Sequence, residues 1–153
     1  MVKKTKIEGV TVRMLIESER AFFLLNSRSL ENGGVAWNLA KIARKAEPEI
    51  KAYRKLITKY IEDTDKFIRD DDGIRIDPKC AGYEALRKKA DAFSEDALDK
   101  VVDLGEGVGP VKYADLLAAM PKRNIGTTED PDWKEGTISP SILAPLMDWA
   151  IEE

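Results

Sequence analysis

Val35, Leu39, Ile42, Ala46, Ile50, Tyr53, Leu56, Ile57 and Tyr60 recur at three- and four-residue steps along one stretch of the chain. At about 100° per residue they fall within an arc of about 120°, the width of one buried helical face. A helix over about 35–62 is therefore the feature that most constrains the fold, because so long an apolar stripe must be covered by other elements. Pro48 lies inside it. Proline has no N–H to give to the preceding turn, so the helix is expected to bend or break near 46–48.

The covering elements are legible on either side. Val12, Leu15, Ile16, Phe22, Phe23 and Leu25 predict a first helix over 11–27, capped by Thr11, although Ser18 and Glu19 interrupt its stripe. Gly33-Gly34 marks the clearest break before the long helix. Two alternating segments between Lys66 and Asp77 flank Asp72-Gly73, the local signature of a β-hairpin. Asp77-Pro78 is expected to open a third helix bearing Tyr83, Leu86, Ala90, Phe93 and Ala97, antiparallel to the long one.

After about residue 98 the periodicity weakens. Val101–Leu104 suggests a short strand, Gly105–Pro110 a flexible glycine-rich connection, Tyr113–Met120 a short helix and 121–138 a long polar loop. Ser139-Pro140 opens a terminal helix to about 151. The fold class expected is mainly α: an antiparallel long-helix pair with a small β-hairpin and a short C-terminal helix. One domain spans 1–153, with a helical core over about 11–100 and an irregular region over 105–138.

Much chemistry is excluded by residue type. There is no histidine, which removes Ser-His-Asp and Cys-His nucleophile activation and the common neutral-pH acid–base group. Cys80, the single cysteine, cannot supply a zinc ligand set. It fits a reducing compartment, as a small apolar residue on a helix. An EF-hand reading of Asp70, Asp72 and Gly73 fails, because Ile68 and Lys79 fall where the first and twelfth ligands belong. Gly105, Gly107 and Gly109 lead into Pro110, not into the Gly-Lys-Ser/Thr of a phosphate loop. Neighbouring carboxylates such as Glu95 and Asp96 belong on a solvated helix end. No catalytic residue, metal site or cofactor is expected, and the chain reads as a non-enzyme. The basic N-terminus lacks an apolar run behind it and no span suits a membrane, so neither secretion by a signal peptide nor a membrane partner is expected.

Charge is segregated. Residues 41–60 hold seven bases (Lys41, Arg44, Lys45, Lys51, Arg54, Lys55 and Lys59) and two acids, whereas 62–72 hold six acids and two bases. The bases are expected to spread over the polar side of the helix, as a solvated face. Nucleic-acid contact through Arg44, Lys45, Lys51, Arg54 and Lys59 is the alternative reading of them. Trp37 projects to the polar side near Lys41 and Lys55, and Trp133 sits in the polar loop. Burial within the domain is the ordinary expectation for both tryptophans. If exposed, Trp37, Lys41, Lys55 and Trp133 are candidate protein-binding residues, since tryptophan anchors interfaces.

The segments Leu39-Ala40-Lys41-Ile42-Ala43-Arg44-Lys45 and Tyr53-Arg54-Lys55-Leu56-Ile57-Thr58-Lys59-Tyr60, the hairpin, the third helix and the closing Ile138–Leu143 together resemble small helical proteins of tailed bacteriophages and prophages. The likeness covers about 11–104 and the final helix; Pro48 and residues 105–137 depart from it. It implies a viral origin, a place in the bacterial cytoplasm or the virion, and no catalytic residues. The function expected is a phage-encoded, non-enzymatic protein-binding protein, either an inhibitor directed at host or defence or an assembly factor, with a host or phage protein as partner and self-association open. A head, neck or tail component of the virion is the alternative, followed by the nucleic-acid-binding module.

Overall fold

The computed structural model describes residues 6–27, 29–121, 123–124, 126–130, 133–134 and 140–153, at 123–124, 133–134 and 140 for the backbone alone. In chain order the elements are β1 (Val10–Thr11), α1 (Val12–Asn26), α2 (Gly33–Asp63), β2 (Phe67–Asp70), β3 (Gly73–Ile76), α3 (Tyr83–Leu98), β4 (Val101–Val102), β5 (Val111–Lys112), α4 (Tyr113–Ala119), β6 (Arg123–Asn124), β7 (Trp133–Lys134), α5 (Pro140–Met147) and β8 (Ile151–Glu152). The strands form four small pairs: β1–β4, β2–β3 and β6–β7 antiparallel, and β5–β8 parallel. The chain is mainly α with minor β, organised around a long helix pair and a hairpin.

Helix α1 begins where its cap residue stands, with the Met14 N–H donating to Thr11 Oγ1 at 3.3 Å. Helix α2 starts two residues before its apolar stripe, because Asn32 Oδ1 accepts from the N–H groups of Gly34 and Val35 at 3.0 and 3.2 Å. Gly33-Gly34 is thus the first turn of the helix and not the break before it. A break at 46–48 does not occur: α2 is continuous for 31 residues through Pro48. Pro48 lies on the exposed face, where water can serve the Arg44 carbonyl that proline leaves without a donor.

One apolar stripe serves two environments. Val35, Leu39, Ile42, Ala46 and Ile50 are buried in the main core with Leu15, Phe22 and Leu25 of α1. From Tyr53 onward the same stripe is only half-covered, and Leu56 is 46% exposed. The core is completed by the far end of the chain. Leu104, Val108, Val111, Leu116, Ala119, Met120, Leu143, Leu146, Trp149 and Ile151 all enter it. Much of the span expected to be irregular therefore packs against α1 and α2. Local periodicity misses this, because the segment is held by contacts distant in sequence.

Three further expectations are corrected. The Gly105–Pro110 connection is pinned: the Ile7 N–H donates to the Val108 carbonyl at 3.1 Å, and Val108 is buried. Gly105 and Gly107 take φ of +90° and +79°, a left-handed backbone open to glycine. The Gly105 N–H donates to Asp103 Oδ1, which with Lys6 nearby holds that carboxyl below its ordinary range. Helix α3 opens at Tyr83, not at Asp77-Pro78. Asp77 instead turns the chain through its own backbone, accepting from the Lys79 N–H at its side chain and from Cys80 at its carbonyl. Cys80 accordingly lies in this turn, half-buried, and not on a helix. The terminal helix ends at Met147, and Ile151 joins Val111 in the parallel β5–β8 pair.

Ser18, which breaks the apolar stripe of α1 in the sequence, is fully buried. Its hydroxyl donates to the Met14 carbonyl at 2.7 Å and accepts from the Trp149 indole N–H at 2.9 Å. Phe22 packs edge-on against the same indole, with ring centroids 5.5 Å apart. A buried donor without a partner costs about 1–3 kcal/mol. Ser18→Ala should lower unfolding stability by that amount in a denaturant titration. Pro48→Ala should raise stability by about 1–3 kcal/mol, since it restores a helical hydrogen bond and removes a clash in an exposed helix interior.

Candidate functional site: the outer half of helix α2

The arm built from the second half of α2, the β2–β3 hairpin and α3 is thinly packed. No residue of α3 is buried, although its sequence carries a regular apolar stripe. A ring stack and a hydrogen bond join the helix pair. The Tyr60 and Phe93 rings stack with centroids 4.2 Å apart, and the Tyr53 and Ser94 hydroxyls hydrogen-bond at 2.6 Å. Arg13 ties the base of α3 to α1 by pairing with Glu95 and Asp99. Ile61 and Ile76 are buried at the hairpin end. Between these fixed ends an apolar cleft of about 510 Å³ remains open, lined by Val12, Ala52, Tyr53, Leu56, Phe93 and Ala97, with Glu49, Asp96 and Lys100 also bordering it. A helix pair on its own leaves such a stripe half-covered; a third element is what ordinarily closes it.

The outer face of α2 presents a second surface. Because the helix is continuous through Pro48, about 100° per residue applies from end to end, and Trp37, Lys41, Arg44, Lys51, Lys55 and Lys59 fall within about 80°. The expectation of a spread of bases is thereby corrected: five of the seven form one stripe. A break at Pro48 would have left the phase between 41–45 and 51–59 undefined. Lys45 lies toward the cleft side. Arg54 lies toward α1, where its guanidinium donates twice to Glu19, at 2.9 and 2.7 Å, and is held above its usual pKa by that bond.

Trp37 is 56% exposed, so the expectation of burial does not hold for it. The Arg44 guanidinium lies 5.9 Å from its ring centroid. The candidate binding residues Trp37, Lys41 and Lys55 share this face. Trp133 is placed by its backbone in β7, opposite Asn124, and its side chain lies outside the described residues. Within the stripe Lys41 donates to the Gly107 carbonyl at 3.0 Å, and Lys51 pairs with Glu47, whose carboxyl is held below its ordinary range by that hydrogen bond. Arg44, Lys55 and Lys59 have no ion-pair partner among the described residues.

The hairpin acids do not converge. Asp70 accepts from the Asp72 N–H and pairs with Arg75, as a self-capped turn. Among the described residues no cluster of three or more histidine, cysteine, aspartate or glutamate side chains is placed to hold a metal ion. Among the described residues no helix is long and apolar enough to cross a membrane. Phe23, read from sequence as part of the α1 stripe, is 72% exposed beside a shallow concavity between α1 and α2. The cleft was missed from sequence because its walls are ordinary stripe residues, and only the packing reveals them as uncovered.

No protein-family model, curated protein or solved structure matches this chain.

Cleft residues and core residues should respond differently to truncation. Leu39 is fully buried, and Leu39→Ala should cost about 2–5 kcal/mol by equilibrium unfolding. Leu56→Ala should cost less, about 1 kcal/mol, since only about half of that side chain is covered.

Proposed function

We propose that this chain is a non-enzymatic protein-binding protein whose α2–α3 arm receives a helical segment of a host or phage partner. The observation that carries the reading is the open apolar cleft beside α3, a helix with an apolar stripe and no buried residue. A helix laid along the cleft would cover Leu56, Phe93 and Ala97 and turn the pair into a three-helix layer. That is the groove mode of recognition, in which apolar anchors at one-turn spacing fill a hydrophobic trough. The volume lies within the ~300–1,000 Å³ of ordinary ligand clefts, enough for two or three such anchors. The likeness of the sequence to tailed-phage helical proteins makes an inhibitor or an assembly factor the role, acting in the bacterial cytoplasm or on the virion. The lack of histidine supports binding over catalysis.

A photo-crosslinking amino acid at position 56, compared with one at position 112 beside Val35 and Asn38 at the far end of α2, tests this in phage-infected bacteria. A discrete protein adduct from position 56 alone, lost when Ala97→Arg fills the cleft, is the expected result. Equal or absent adducts from both positions contradict it.

A further inference from the structure

We infer that the outer face of α2 binds single-stranded nucleic acid along its backbone, without sequence preference. Lys41, Arg44, Lys51, Lys55 and Lys59 lie on one stripe of a continuous helix. From Lys41 to Lys59 the stripe runs about 27 Å at 1.5 Å per residue. No acid falls within that sector before Glu62, and the flanking Glu47 is already paired with Lys51. Lys51, Lys55 and Lys59 follow each other at four-residue steps, so their ammonium groups repeat about every 6 Å along the face. A uniform row of like charges suits a uniformly repeating anion.

Residue type favours phosphate over an acidic protein surface. Four of the five bases are lysine, a residue depleted from protein–protein interfaces and effective as a point charge toward phosphate. Trp37 stands exposed at the N-terminal end of the row, with the Arg44 guanidinium over its ring, 5.9 Å from the centroid. An exposed indole next to cations is the usual platform for an unstacked base, and every base offers a π-face to it. The acids of 62–72 mark the other end and repel a polyanion there. With the net charge of −3 they make the interaction weak and sensitive to salt. The stripe and the α2–α3 cleft occupy different sectors of the helix, so this activity does not depend on the cleft.

Fluorescence anisotropy with a labelled oligonucleotide of about 15 nucleotides at low salt tests the inference on the full chain. Binding should weaken with salt at a log–log slope no steeper than about −3.5, which is 0.7 for each of five phosphates. Lys51→Gln, Lys55→Gln and Lys59→Gln together should weaken binding at least tenfold and reduce the slope by about 2. Trp37→Ala should weaken it about 5- to 150-fold. These side chains are exposed, and unchanged circular dichroism and melting temperature establish that the variants fold. No binding at about 20 mM salt, or a triple variant that binds as the parent does, would overturn the inference. Equal competition by poly-glutamate of matched charge would overturn it too, since the stripe would then read acidic chains in general.

Discussion

The continuity of helix α2 through Pro48 is the constraint on which the rest of this molecule depends. The first half of the helix is one wall of the core, and the second half leaves that core to carry the hairpin and α3. A proline inside a helix costs about 3 kcal/mol or more, so the uninterrupted form stands only because tertiary contacts on both sides offset it. Leu39, Ile42, Ala46 and Ile50 anchor one side against α1, and the Tyr60–Phe93 stack and the Tyr53–Ser94 hydrogen bond hold the other. With the helix unbroken, every side chain from Trp37 to Lys59 has a fixed angular position. The core stripe, the cleft and the basic row are three sectors of one cylinder.

Those sectors differ in what they bury, and hence in what they can do. The core side is closed by elements from both ends of the chain, with Ser18 and Trp149 satisfying each other inside it. The arm side is left half-covered, which lowers its own stability and leaves apolar surface open. The outer side carries charge that the neighbouring acids do not fully neutralise. The surface ion pairs contribute little to stability, since exposed pairs are worth about 0–1 kcal/mol. Their effect is on charge pattern: Glu19 draws Arg54 away toward α1, and Glu47 screens only Lys51.

Where periodicity or local chemistry decides the structure, the sequence could be read directly. The stripe of α2, the Thr11 cap, the Asp-Gly hairpin and the apolar stripe of α3 all follow from neighbours within a few residues. What escaped was set by distant contacts. Ser18 looks like a flaw in α1 until Trp149, far along the chain, supplies its partner. Gly105–Pro110 looks like a loose connection until Ile7 and Lys41 are found bonded to it. The end of the terminal helix is decided by the pairing of Ile151 with Val111, which no local pattern encodes. The candidate surfaces were half legible. Trp37, Lys41 and Lys55 were singled out together, but the alignment of Arg44, Lys51 and Lys59 with them required knowing that Pro48 does not break the helix. The cleft was invisible, because Leu56 and Phe93 read as core until the described residues prove to leave them half-covered.

Residue-resolved hydrogen exchange along α2 tests this division most directly. Amides of 35–50 and of α1 should exchange only through global unfolding. Those of 51–63 and of α3 should open locally at clearly lower free energy, because fewer apolar contacts hold them. Uniform protection along all of α2 and α3, at the level of the core, would contradict the account. It would mean that the arm is packed as tightly as the rest and offers no open face.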